Sequence, residues 1–175
     1  MDKDKLLLDY LKALLDRYGK YHDHKEISAW AGIVLYFVFC VAILRVEVPT
    51  SPGALGFWVI AVAVFVAAIL ATLYIRKQLE LKDVAGSQAG AATYFMTKLV
   101  TSETGKHDEP LTAISQSTDT EIQSPHVLPD SFVKKAQWLN TQGRCAQAKT
   151  RMLTYFLLWA ATLFLVAYKA VKYFG

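Results

Sequence analysis

Residues 27–75 decide the fold: ISAWAGIVLYFVFCVAIL (27–44) and LGFWVIAVAVFVAAILATLYI (55–75) carry no charged residue, and RVEVPTSPGA (45–54) joins them. At a rise of ~1.5 Å per residue, helices over these runs are long enough to cross a ~30 Å hydrocarbon layer. Pro49, Pro52 and Gly53 stop a helix from continuing through the joint. The stretch therefore reads as a membrane hairpin. Trp30 and Trp58 each lie near the start of a run, which assigns them to opposite interfaces as anchors in the aromatic-belt pattern. Ala63, Ala67 and Ala71 make a small-xxx-small row, expected to be a helix-packing face because small residues let backbones approach closely in lipid.

Upstream, residues 1–26 (MDKDKLLLDYLKALLDRYGKYHDHKE) have helical periodicity. Leu7, Leu11, Leu14, Leu15, Tyr18, Tyr21 and His22 mark one face, and Asp9, Lys12, Asp16, Lys20 and Asp23 the other. Only the permissive Gly19 interrupts the pattern, so one long helix is expected to start in water and enter the membrane. An in-plane membrane binder would carry Lys and Arg in excess on its polar face. Here six bases meet six acids, which favours a packing face against other helices of the chain.

Downstream, residues 76–100 (RKQLELKDVAGSQAGAATYFMTKLV) stay helical in pattern and contain no proline. Gly86 and Gly90 each cost a helix ~1 kcal/mol relative to alanine. They are read as a close helix crossing in preference to a hinge. Residues 101–129 lose apolar periodicity and are rich in Ser, Thr, Pro and acids, which predicts a flexible linker. A second helical segment, 130–151, follows Pro129 with Asp130 or Ser131 as N-cap. It passes without a break into a third apolar run at 152–173, where Lys169 and Lys172 are expected to snorkel toward water.

The fold class that follows is an all-α integral membrane protein. Three transmembrane helices each continue into a long cytoplasmic helix, and the cytoplasmic halves form a three-helix bundle ~35 Å tall. The first run begins at residue 27 and is too long for a cleaved h-region, so it is expected to remain as a signal anchor. Sidedness comes from charge. Residues 1–26 and 76–151 hold sixteen of the nineteen Lys and Arg, and the opposite side holds Arg45, Lys169 and Lys172. The positive-inside bias then places the N-terminus and 76–151 in the cytoplasm and the C-terminus outside, with the bacterial inner membrane as the expected location.

Chemistry is sparse. Cys40 and Cys145 are too few for a disulfide framework and are expected to be free thiols. The basic residues form no concentrated patch of the kind a nucleic-acid binder needs. There is no HExxH, phosphate loop, GxSxG or CxxC. His22 and Glu26, one helical turn apart, are the nearest approach to a metal pair, but a catalytic zinc site needs a further protein ligand. No cofactor is expected, and no charged residue inside a span marks a coupled transport path.

In topology alone, a helical cytoplasmic arm followed by a membrane hairpin and a further helix is similar to small membrane effectors of bacterial defence and signalling systems. The expected function is non-enzymatic: an oligomeric scaffold, accessory subunit or partner-docking module acting through its cytoplasmic bundle. Its partners would be the lipid bilayer and either a second copy or another membrane or cytoplasmic protein. The alternative is a pore-forming or membrane-perturbing effector whose assembled spans open a conductance.

Overall fold

The structure, a computed structural model, describes residues 3–47, 55–102 and 130–174, with the side chains of 3, 4, 101, 102, 130 and 144–146 set aside. The linker expected at 101–129, apart from its first two residues, the Pro49–Pro52–Gly53 turn and the Cys145 thiol lie outside this description. All the described residues that form secondary structure are helical, in three helices: α1 (Lys3–Arg45), α2 (Leu55–Ser102) and α3 (Asp130–Phe174). At 43, 48 and 45 residues they are about four times the usual helix length. None of the chain's five prolines falls inside them, so each keeps its backbone hydrogen-bond ladder unbroken.

All three helices are long and apolar enough to cross a membrane. Within the most apolar eighteen-residue window of each, only 17–22% of the residues are buried inside the protein. Most of that apolar surface therefore faces outward. This surface is far more than soluble monomers leave in water, and it is what a helix surrounded by lipid presents.

The chain divides into two compact units. One comprises Met1–His24 and Leu81–Ala146, the other Lys25–Glu80 and Gln147–Gly175. The first unit is built around Leu11 and Leu14 of α1, Ala91, Ala92 and Phe95 of α2, and Phe132 and Ala136 of α3. Phe95 and Phe132 stack with ring centroids 6.0 Å apart. The apolar face of residues 1–26 is thus used against α2 and α3, with Leu7, Leu15 and Tyr18 packed at the margin of the core. Tyr21 departs from the expected face and is exposed, because it lies one residue round the helix from His22, whose ring faces α2.

The second unit is centred on Tyr36 and Cys40 of α1, Val64, Ala68 and Ile75 of α2, and Leu158 and Leu165 of α3. Ala67 and Ala71 are packed at the edge of this core, Ala63 is exposed, and within the run 55–75 the buried alanines are Ala61 and Ala68. Trp30 and Trp58 are both exposed, each 60% accessible.

Candidate functional site

Among the described residues, several places set polar groups in an apolar or aromatic environment. The first lies deep in the second unit. Tyr36 Oη and Thr162 Oγ1 are 2.5 Å apart, and Thr162 is fully buried. Thr162 also donates to the Leu158 carbonyl four residues back, at 2.8 Å. With its one proton committed there, its oxygen accepts from the Tyr36 hydroxyl. Both buried hydroxyls are satisfied, and they tie α1 to α3 with the Cys40 thiol beside the Tyr36 hydroxyl.

The second place lies at the C-terminal end of α1. Lys169 of α3 is 2% exposed. Its Nζ donates to the carbonyls of Leu44, at 3.1 Å, and of Val46. This corrects the expectation that Lys169 snorkels. The last carbonyls of a helix have no partner within it and carry the negative end of its dipole. An ammonium on a neighbouring helix satisfies both requirements at once, which offsets its removal from water. Glu47 and Lys172 are its charged neighbours, and Lys172 is exposed. A cavity of about 10 Å³ adjoins Lys169, lined by Phe57, Ala61, Val64 and Leu165 among others. It is no larger than a water molecule needs.

The third place is a surface cluster on the first unit. Lys135 Nζ sits 4.2 Å from the ring centroid of Tyr94 and 4.2 Å from that of Trp138. Lys98 Nζ lies 5.6 Å from the same Tyr94 ring. Both distances of Lys135 are within cation–π range. Trp138 nevertheless remains 54% exposed. On the same unit, an open groove of about 530 Å³ runs along one helix past Arg17, Tyr18, Lys20, Tyr21 and His24. Lys20, one of its lining residues, donates to Asp16 at 2.8 Å.

Of the sequence-derived residues, Gly86 and Gly90 lie at close helix approaches. A Cβ at Gly86 would stand 3.0 Å from His22 Cδ2 of α1, and one at Gly90 would stand 3.2 Å from Leu139 Cδ1 of α3. The two glycines therefore serve different neighbours. His22 is 3.3 Å through Nδ1 from Asp23 Oδ1. Glu26 belongs to the other unit, and among the described residues no group of three His, Cys, Asp or Glu side chains is placed to hold a metal ion.

Sequence reasoning missed Gly32, where a Cβ would meet Tyr74 Cδ1 and Cε1 at 2.9 Å. The signal was present in the small or slender residues Ala29, Gly32 and Cys40, which share a side of α1 with Tyr36. It also missed the Tyr36–Thr162 pair, which no local pattern announces.

No family model matches the sequence, and no curated protein or solved structure is detectably similar to it.

Proposed function

We propose that this chain is a non-enzymatic integral membrane protein that acts as an oligomeric scaffold, accessory subunit or docking module. In this reading the first unit is a cytoplasmic three-helix bundle and the apolar parts of the three helices are its membrane anchor. The N-terminus and residues 76–151 face the cytoplasm, as at a bacterial inner membrane. Support for this sidedness comes from the sixteen-to-three distribution of Lys and Arg.

The observation that carries the docking role is the exposed Trp138, with Lys135 held over it and over Tyr94. The first unit already has an aromatic core of its own in Phe95 and Phe132, so Trp138 is not needed there. Exposed Trp and Tyr beside a cation are the residue types that dominate protein–protein hot spots. A pore reading has less support: the second unit is filled by Val64, Thr162, Leu158 and Leu165, so a conducting path would have to form between copies.

The test is purification of the full chain in mild detergent with its mass measured by light scattering, beside W138A and Y94A. A discrete oligomer or a stoichiometric co-purifying protein, lost in W138A, is expected. A monomer with no companion, unchanged in W138A, would sink the docking role. Flux from liposomes at high protein density would move the assignment to the pore.

A further inference from the structure

The first unit divides its charges between two of its sides. Among its described side chains the exposed carboxylates are Asp9, Asp16 and Asp23, all on α1. No acidic residue occurs between 84 and 102 on α2 or between 131 and 174 on α3, so the surface around Tyr94, Lys135 and Trp138 is basic and aromatic. Lys134, which is exposed, and Lys135 both stand one turn from Trp138 on α3. Asp16 lies about half a turn round α1 from the buried Leu11 and Leu14, so it points away from α2 and α3. The two patches therefore face different directions, and one molecule cannot bring its own together.

They do lie at one level. Gly86 stands against His22, and Gly90 against Leu139. Counting along the antiparallel helices from these approaches sets Asp16 beside Ala92 and the turn of α3 that holds Lys135 and Trp138. The surroundings of Asp16 add little bulk. Ala13 is exposed one turn before it, and Gly19, one turn after, has nothing within 4 Å of the position a Cβ would take. Lys20 bonds only Oδ2 of Asp16, and a carboxylate accepts more than one donor. Lys12 shares this side of α1, so the match is between individual groups and not between whole faces.

We propose that neighbouring copies of this chain join head to tail through the first unit, Asp16 of one copy against Lys135 of the next, with the exposed ring of Trp138 laid over Ala13 and Gly19. The inference rests on the oligomeric scaffold reading and names the contact that builds the oligomer. Copies anchored in one bilayer run in the same direction, so groups at the same level can meet between them. Two different patches make a heterologous contact, which closes into a ring or extends as a row.

The experiment measures the mass of the full chain in mild detergent by light scattering. It compares the wild type, D16K, K135E, the double variant carrying both changes, and a mixture of the two single variants. D16K and K135E each set like charges against one another and should weaken association by at least about tenfold. The double variant should regain the wild-type oligomer, and the mixture should associate, since each restores opposite charges across the contact. D23K, which reverses an exposed carboxylate two turns further along α1, should associate as the wild type does. Association of D16K and K135E at wild-type strength overturns the contact and leaves the scaffold reading standing. Loss in both, with no recovery in the double variant or the mixture, also overturns it. A different protein that co-purifies with the wild type and D16K but not with K135E takes the Trp138 surface for itself and overturns the second copy as occupant. A monomeric wild type without a companion removes the scaffold reading, and the contact with it. Should K135E fail to fold, D16K against D23K decides alone, because both positions are exposed.

Discussion

Tyr36 of α1 and Thr162 of α3, 126 residues apart in sequence, share a 2.5 Å hydrogen bond inside the second unit. The bond should be measurable by a double-mutant cycle. Y36F removes the donor and leaves Thr162 bonded to Leu158, whereas T162V takes away the acceptor of the Tyr36 hydroxyl and leaves it only the weaker Cys40 thiol. T162V should therefore be the more damaging of the two. Side-chain bonds between membrane helices average about 0.6 kcal/mol with a maximum near 1.7. A coupling in that range is expected from unfolding of Y36F, T162V and the double variant in detergent. Additive single effects would mean that the two hydroxyls do not interact.

Lys169 should be needed for the end of α1. K169M keeps much of the apolar stem and deletes both donors to Leu44 and Val46. Hydrogen bonds from a charged group are individually worth about 1.5–3 kcal/mol, offset here by the cost of burying the ammonium. A net loss of about 1–3 kcal/mol is expected, together with faster amide exchange in the last turn of α1. K172Q should change stability by less than about 0.5 kcal/mol, since its side chain is exposed. Equal effects from the two variants would contradict the cap.

Four glycine-to-alanine changes should separate by the space each glycine faces. Nothing lies within 4 Å of a Cβ at Gly19 or Gly143, so G19A and G143A should each stabilise by about 0.5–1 kcal/mol through helix propensity. G90A meets only the flexible tip of Leu139, and its gain should be reduced without reversing. G32A meets the ring of Tyr74 and should destabilise by about 1–2 kcal/mol. Because Tyr74 is partly exposed, Y74A should relieve most of the G32A defect, which thermal unfolding of the pair would reveal.

The core of the first unit should respond differently from its surface. F95A removes a ring that stacks on Phe132 and should cost about 3–5 kcal/mol. W138A should cost less than about 1 kcal/mol, because its ring is largely exposed. Chemical denaturation of both variants checks the ordering. A W138A loss as large as that of F95A would place Trp138 in the core and remove it from the docking surface.

The three helices were legible because two kinds of residue mark them. Charge-free runs give the apolar parts, and the prolines all lie between helices, where the sequence reading puts boundaries. The face of α1 in the first unit was legible as well, since Leu11 and Leu14 alternate with charges at helical spacing. Rotation of the apolar helices was not. In a run such as 55–75 no residue is charged and the Thr72 hydroxyl bonds back to the Ala68 carbonyl of its own helix, so no polar side marks the outside, and size is the only cue left. The row 63–67–71 and the buried pair Ala61 and Ala68 are equally small, and only the partner helices decide between them. Lys169 was misread for a related reason. Its acceptors are backbone carbonyls at the end of another helix, and every residue carries a carbonyl.

The bond between Lys169 and the end of α1 also has a consequence in time. Leu44 is synthesised 125 residues before the lysine that satisfies its carbonyl. At a translation rate of about 5–20 residues per second, the wait is roughly 6–25 s. During that interval the last turn of α1 has to rely on water or lipid headgroups. The first helix therefore stays unsealed at one end until the third has been made, and a ribosome stalled between them would leave a membrane-inserted chain with an open polar terminus.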